Sequence, residues 1–286
     1  MANKRESSNL EPPVFLGLFV VATVGLSWTI SFVTVTDTVP AYTIPLIMFV
    51  PAVVTIVLRR VQGNSLRATI GTSLRGSTGP SLVFAVVYPV LFIGTAAVIA
   101  IGAGLGRYQP GVESAIEQVL SLGGPLAIPV FLVINLGIMY GEELGWRGYL
   151  LPELTAYWGR IPATIAVGIV WGVYHSAFLY SAATVLNVPN PLLVTVVQAG
   201  AVLTASFPFA YSYYLTNGSV LPAMIFHLIW NILSPWILGD IYENVQGLVA
   251  GQVFVVSGEG IFGLFLGLIA VGGFVILFRR GTLIIS

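Results

Sequence analysis

Residues 124–148 read GPLAIPVFLVINLGIMYGEELGWRG, an apolar stretch that ends in two adjacent glutamates, Glu142 and Glu143. No charged residue precedes them in this stretch. A carboxylate within or beside a bilayer costs about 3 kcal/mol on insertion scales, so the two glutamates require compensating contacts. We therefore interpret the stretch as a membrane helix that carries a functional site.

The composition predicts an integral membrane protein. Hydrophobic residues make up 57% of the 286-residue chain and charged residues 8%, whereas a soluble domain has about 25% charged residues. The mean hydropathy is +0.95. The formal net charge is zero, so no basic surface favours nucleic acid as a partner. Cysteine is absent, which excludes disulfides, thiolate metal ligands and a cysteine nucleophile.

The apolar segments predict an all-α fold, a polytopic membrane protein with a bundle of about eight transmembrane helices in a single domain, residues 1–286. A membrane helix requires about 20 mostly apolar residues. The first run extends to about Val35, too long for the apolar core of a signal peptide, which has about 7–15 residues. The predicted spans are 14–36, 41–58, 80–105, 124–143, 161–182, 191–215, 219–238 and 259–278.

The charges predict how these spans are oriented. With a cytoplasmic N-terminus, ten of the 11 basic residues fall on inner loops or chain ends, and only Arg107 falls outside. This asymmetry is typical of the positive-inside rule and predicts cytoplasmic N- and C-termini in a cell membrane. Residues 106–123 are predicted to form an outer loop with a short surface helix. Gly263 and Gly267 form a GxxxG pattern, which is weak evidence for close helix packing within the chain or between subunits; with 32 glycines in the chain, a chance match is the favoured interpretation.

Glu142, Glu143 and Arg147 are the first candidate site residues. Neighbouring residues on a helix point about 100° apart, so the two carboxylates have different roles. Glu143 and Arg147 are spaced i, i+4, which favours an ion pair near the end of the helix. Glu142 then has no obvious local partner and is available for proton transfer. The alternative is an interfacial ion pair that ends a helix, with Glu142 reaching water.

The chain has only two histidines, His175 and His227, and both lie in apolar stretches. Asn231 follows His227 by one helical turn and shares its face. In each case the alternative is a hydrogen-bonded packing residue. Taken together, a glutamate and one histidine can deprotonate a water, while the other histidine and the asparagine hold an oxyanion.

The same groups, His175, His227 and Glu142, would also offer a His2Glu ligand set to zinc. The sequence contains no HExxH, which excludes the single-helix zinc protease arrangement. The need for a metal stays open at this point.

Three patterns occur in order along the chain: EExxxR at Glu142–Arg147, an aromatic residue four before histidine at Trp171–His175, and HxxxN at His227–Asn231. They resemble the CPBP family of intramembrane proteases, the CAAX-protease and bacteriocin-processing or Abi group, and in particular Rce1-type CAAX prenyl endopeptidases. The aromatic residue is tryptophan here, where phenylalanine is frequent. The matched positions span residues 142–231.

The resemblance implies an all-helical membrane endopeptidase with a peptide or lipidated-peptide substrate, including the prenylated CAAX type. It implies that Glu142 is the general base and His175 its partner. It further implies that His227 and Asn231 stabilise the oxyanion, and that Glu143 and Arg147 support the site. Zinc dependence in this family is disputed.

Two other functions were weighed against the endopeptidase. A non-catalytic bacteriocin-immunity or scaffold protein of the same fold would have no need for the complete set of residues. A small transporter could use Glu142 and the histidines as a proton relay, but the repeated halves typical of transporters are absent from the sequence. The immunity or scaffold protein is the main alternative to the endopeptidase, and the transporter ranks last.

The predicted helix boundaries leave a geometric problem. Glu142 falls near the inner end of its span, whereas His175 is about 14 residues into the next, or ~21 Å along it. The two can meet only if the following helix begins below the membrane, tilts, or follows a re-entrant stretch. We therefore expect a water-filled cavity that opens toward the cytoplasm and is bounded partly by residues 148–160.

Overall fold

The computed structural model describes residues 12–35 and 46–280. The described part is almost entirely helical, with a small antiparallel sheet of β1 (Gly106–Tyr108) and β2 (Val249–Gly251). The helices are α1 Pro12–Val35, α2 Val50–Val61, α3 Leu66–Ser73, α4 Gly79–Gly102, α5 Ala115–Gly123, α6 Ala127–Gly145, a π-helical turn Trp146–Leu150, α7 Leu151–Trp158, α8 Arg160–Val185, α9 Pro191–Tyr214, α10 Leu221–Leu238, α11 Val253–Val256 and α12 Ile261–Arg280.

The prediction of an all-α membrane bundle is confirmed, apart from the two short strands, but the count of eight spans is not. Within the described ranges, seven helical stretches are long and apolar enough to cross a membrane. The exception is the predicted span 41–58. Its residues 41–45, like residue 36 of the first span, lie outside the described residues. Its residues 50–58 belong to α2, which has 12 residues and extends only about 18 Å.

The fourth predicted span, 124–143, is too short. Helix α6 continues through the π-helical turn into α7, so one helical stretch runs from Ala127 to Trp158. A single π turn inserts an extra residue without breaking the helix, and the sequence pattern does not reveal it. The stretch ends at Gly159, whose φ of +79° is in the left-handed region that glycine adopts without strain.

Close packing of α2 on α6 depends on two glycines one turn apart. A Cβ atom at Gly141 would lie 2.6 Å from the Met48 carbonyl oxygen, and one at Gly145 would overlap Pro51. Both glycines are buried. The close approach of α2 therefore shields the end of α6 that carries Glu142.

The GxxxG pattern in α12 packs within the chain. A Cβ at Gly263 would overlap Gly258, and one at Gly267 would overlap Thr204 of α9. Small residues allow helices to approach this closely. The described structure thus accounts for the pattern without a second subunit.

The two ends of the bundle differ in charge. The loops around Gly76 and Asn217 meet at one end, where the Asn217 amide donates to the Gly76 carbonyl at 2.9 Å. At the opposite end, the predicted surface helix is present as α5, and Trp236 Nε1 donates to the Val112 carbonyl at 2.9 Å. The connectivity of the helices places Arg59, Arg60, Arg67, Arg75, Arg160, Arg279 and Arg280 at the first, basic end, and Glu113, Glu117, Asp240, Glu243 and Glu259 at the second, acidic end.

Replacement of Gly145 by alanine is expected to destabilise the protein by about 1–3 kcal/mol, because the added methyl group forces α2 away from α6. Gly137 is the matched control: it lies on the same helix with open space around it. Gly137→Ala should be neutral or stabilising by about 0.5–1 kcal/mol. Thermal unfolding in detergent measures both variants, and equal midpoints would contradict the packing argument.

The charge asymmetry predicts that the basic end faces the cytoplasm. Because the chain has no cysteine, one introduced cysteine reports the side of its loop. In intact cells, Asn64→Cys, in the exposed turn after α2, should resist a membrane-impermeant maleimide, and Glu243→Cys, in the exposed turn after α10, should react with it. The opposite labelling pattern would reverse the orientation.

Candidate active site

Glu142 is buried in α6, with 1% of its surface exposed. Its Oε2 accepts a hydrogen bond from Trp171 Nε1 at 2.8 Å and from Trp146 Nε1 at 3.2 Å. The expectation that Glu142 lacks a local partner is therefore wrong, since Trp146 lies one turn further along the same helix. Oε1 accepts a long hydrogen bond from the Tyr174 hydroxyl at 3.5 Å and is the carboxylate oxygen nearest to His175, whose Nε2 lies 3.9 Å away.

Glu143 and Arg147 form the predicted i, i+4 pair, with Arg147 Nη1 3.0 Å from Glu143 Oε1. Both side chains are fully buried instead of lying at the bilayer edge, because the helix continues beyond them. The same oxygen, Oε1, lies 2.9 Å from His227 Nδ1. A carboxylate only accepts hydrogen bonds, so Nδ1 carries a proton and donates it.

Arg147 is held between two aromatic rings. Its guanidinium lies 4.3 Å from the centre of the Trp171 ring and 4.4 Å from that of Phe209. Its Nε and Nη2 have no hydrogen-bond partner among the described residues. Ring faces attract a desolvated cation by about 2 kcal/mol or more. These stacking contacts, together with Glu143, offset the burial of the charge.

His175 is oriented by its own helix. Its Nδ1 lies 2.9 Å from the Trp171 carbonyl oxygen, which accepts hydrogen bonds but cannot donate one. The proton is therefore on Nδ1, and in the neutral ring Nε2 carries a lone pair. Both histidines are thus fixed by a hydrogen bond from Nδ1, which leaves each Nε2 for other contacts.

The long helix resolves the difference in height between Glu142 and His175. Glu142 stands 17 residues before Gly159 and His175 stands 16 residues after it. Because the helices on either side of this turn pack against each other, both residues reach nearly the same depth. No re-entrant segment is needed.

Glu142, His175, His227 and Asn231 all line one cavity of about 330 Å³. Asn231 Nδ2 donates to Met139 Sδ at 3.5 Å, a weak hydrogen bond. The structure therefore brings all four candidate catalytic residues to one space, while Glu143 and Arg147 lie behind it.

The expected boundary of this cavity is wrong. Among the described residues, its lining includes none from 148–160, and it extends instead toward Tyr242 and Glu259 at the acidic end. The reason is that residues 148–158 complete the long helix, and most residues in the first two turns of this segment are buried against the protein.

The described residues contain no group of three His, Cys, Asp or Glu side chains placed to hold a metal ion. His175, His227 and Glu142 are thus not arranged as a His2Glu site. The ring centre of Trp171 lies 5.8 Å from that of each imidazole.

Sequence reasoning missed several residues of the site. The sequence identified Trp171 only as the aromatic residue four before His175. Its N–H group binds Glu142, a contact that phenylalanine could not make. Glu259 and Tyr242 were not considered, although both line the cavity. The one signal in the sequence for Glu259 was its position as the first residue of the predicted span 259–278, which is otherwise uncharged.

The fold and the site together define a helical membrane protein with a buried glutamate–histidine centre. Residues 124–233 match the family described as type II CAAX prenyl endopeptidase Rce1-like. The match covers less than half of the chain but includes every candidate site residue. This match agrees with the resemblance to the CPBP family that the three patterns indicated. No curated protein matches the chain.

Removal of the buried cation should destabilise the protein strongly. Arg147→Met removes the guanidinium from the buried Glu143 and leaves it only the hydrogen bond of His227, which costs about 3–5 kcal/mol. Arg160→Met is the matched control, since Arg160 also lies over a tyrosine ring, that of Tyr214 at 5.3 Å, but is partly exposed. Thermal unfolding in detergent should show a large loss for the first variant only. An equal loss in both would contradict the special role of the buried pair.

Proposed function

We propose that this protein is an intramembrane endopeptidase that hydrolyses peptide bonds of membrane-associated peptides, including prenylated CAAX-type peptides. The observation that carries the proposal is the convergence of Glu142, His175, His227 and Asn231 on one cavity from α6, α8 and α10. A scaffold of the same fold would require no such convergence. The supporting residues Glu143 and Arg147 hold His227 in place from behind.

Glu142 and His175 are suited to activate a water. The 3.9 Å between Glu142 Oε1 and His175 Nε2 is too long for a hydrogen bond, but one water oxygen can lie about 2.8 Å from both atoms. Both atoms accept hydrogen bonds, so such a water would donate its two O–H groups to them. Its oxygen lone pair is then directed at the substrate carbonyl, and Glu142 takes the proton as the new C–O bond forms.

His227 and Asn231 are suited to stabilise the resulting oxyanion. Glu143 holds His227 through Nδ1, and in its doubly protonated form the imidazole can donate Nε2–H to the oxyanion. Asn231 Nδ2 can exchange its weak contact with Met139 for the same oxygen. The tetrahedral intermediate then collapses as the C–N bond breaks, and the proton held by Glu142 passes to the leaving amine.

The remaining wall of the cavity is suited to an apolar substrate. Aromatic and aliphatic side chains line most of it, from α4, α9 and α10: Tyr88, Phe92, Val202, Phe226 and Trp230. Burial of an acyl or prenyl chain against such a surface is favourable by about 0.8 kcal/mol per methylene. We further propose that the whole chain is one domain in the cell membrane, with its basic end and both termini in the cytoplasm.

Cleavage of prenylated and unprenylated peptides by the detergent-purified protein tests the proposal. Glu142→Gln keeps the shape of the side chain but cannot take a proton, and His227→Ala removes an oxyanion donor. Each should lower kcat/KM more than about 100-fold. Glu153→Gln is the matched control, because this carboxylate is on the same helical stretch, pairs with Arg59 at the surface and lies outside the cavity. It should change kcat/KM by less than about twofold.

Turnover by Glu142→Gln equal to that of the parent would remove Glu142 as the base. Absence of cleavage by the parent with every peptide would favour the non-catalytic alternative. Chelation followed by return of zinc, with the same peptides, measures any metal requirement independently of these variants.

A further inference from the structure

A second cavity, of about 200 Å³, adjoins the first at the acidic end of the bundle. The two share lining residues, among them Asn231, Tyr242 and Glu259. The second cavity is lined in addition by Asp240 and Ser257. The second cavity therefore starts at Asn231, one of the proposed oxyanion donors, and extends away from Glu142 and His175.

The carboxylate of Glu259 is held in a fixed position at the junction of the two cavities. Its Oε2 accepts hydrogen bonds from Gln198 Nε2 at 2.8 Å and from the Tyr242 hydroxyl at 2.9 Å. Gln198 is fully buried and also donates to the Tyr242 oxygen at 2.7 Å. Burial raises the pKa of Tyr242 well above its usual value, so the hydroxyl keeps its proton and remains a donor to Glu259.

This end of the site carries negative charge without a cation. Among the described residues, Glu259 and Asp240 take part in none of the ion pairs. Asp240 Oδ1 accepts the backbone amides of Tyr242 and Glu243, which fixes the loop. A partly buried carboxylate without a counter-ion is costly, and within the described ranges the hydrogen-bond donors to Glu259 and Asp240 are neutral.

Hydrogen-bonding capacity is also left over around Glu259. The Ser257 hydroxyl, which belongs to the lining of the second cavity, is buried and has no partner among the described residues. Gln198 Oε1, behind Glu259, is likewise buried without a partner. Buried polar groups are nearly always satisfied, so Ser257 and Glu259 point to a ligand that brings N–H donors and positive charge.

Tyr242 and Glu259 lie close to the proposed catalytic residue His175. The ring of Tyr242 is centred 6.4 Å from the ring of His175, and Tyr242 contacts Glu259 directly. An extended peptide advances about 3.3–3.6 Å per residue. A group one to three residues from the scissile bond therefore reaches Glu259.

We infer that Glu259, with Asp240 and Ser257, forms a cation subsite that takes an ammonium or guanidinium group of the peptide substrate. The group belongs either to a lysine or arginine side chain or to a free N-terminus. This inference rests on the proposed function for the identity of the ligand as a peptide. It adds a charge preference to a cavity that is otherwise apolar.

Binding of short acylated peptides to the detergent-solubilised full-length protein tests the subsite. The Glu142→Gln background prevents turnover, so affinity is measured without cleavage. Lysine is placed at successive positions and compared with norleucine, which has a similar aliphatic chain but no ammonium group. A second comparison uses free and acetylated N-termini, which separates the two sources of the cation. At one position at least, the charged form should bind about tenfold more tightly at low salt.

Glu259→Gln should abolish this preference, because the amide keeps an acceptor oxygen but not the charge. Glu243→Gln is the matched control, since Glu243 is exposed on the loop after α10 that also carries Asp240 and lines neither cavity; it should retain the preference. If both variants lost the preference for the charged peptide equally, that preference would come from the overall negative charge of the acidic end. This result would overturn the subsite. Thermal unfolding of the same variants detects a purely structural role of Glu259, because such a role would change the stability of the protein but not its preference for the charged peptide.

The remaining outcomes distinguish the two proposals. Equal affinity for every charged and neutral pair overturns the subsite, even if the parent cleaves the peptides. A preference that depends on Glu259, without cleavage by the parent, supports the subsite and contradicts the endopeptidase. If Glu259→Gln fails to fold, glutamate in place of norleucine should still weaken binding to the Glu142→Gln protein about tenfold; equal binding would overturn the subsite.

Discussion

The burial of two adjacent carboxylates in a membrane helix is the constraint on which the rest of the structure depends. Glu142 and Glu143 point in different directions, so no single partner can compensate both. Glu142 is held by indole N–H groups and Glu143 by a guanidinium and an imidazole. These donors come from three separate helical elements, so the helices must assemble before the charges are compensated. Burial, packing and the proposed chemistry are therefore linked.

Trp171 joins the parts of this arrangement. Its N–H group binds Glu142, its ring stacks on Arg147, and its carbonyl accepts from His175. The ring also contacts His227 edge to face. A phenylalanine at this position would fill similar space but supply no N–H donor. The tryptophan thus couples the position of Glu142, the proposed base, to the positions of both histidines. Tryptophan in place of phenylalanine is therefore compatible with the site.

The cavity has two chemically different regions. Around Glu142 and His227 the carboxylates are matched by protein donors and the walls are apolar, which suits a reaction that must exclude bulk water. Around Glu259 the donors are neutral and the charge is uncompensated. A substrate that spans both regions would bury apolar groups in one and bring a positive charge to the other. The proposed endopeptidase site and the inferred cation subsite would thus occupy neighbouring parts of one binding surface, with separate physical causes.

The sequence by itself determined the membrane bundle, the Glu143–Arg147 pair and the sharing of a face by His227 and Asn231, because apolar run length and the i, i+4 spacing are local properties. It did not determine that α6 continues beyond Glu143, since a π turn has no distinct hydropathy signal. Only the tertiary structure placed Trp171 against Glu142 and set Glu259 beside Gln198 and Tyr242. Those contacts join residues far apart in the chain, and their geometry depends on how closely glycine-lined helices pack.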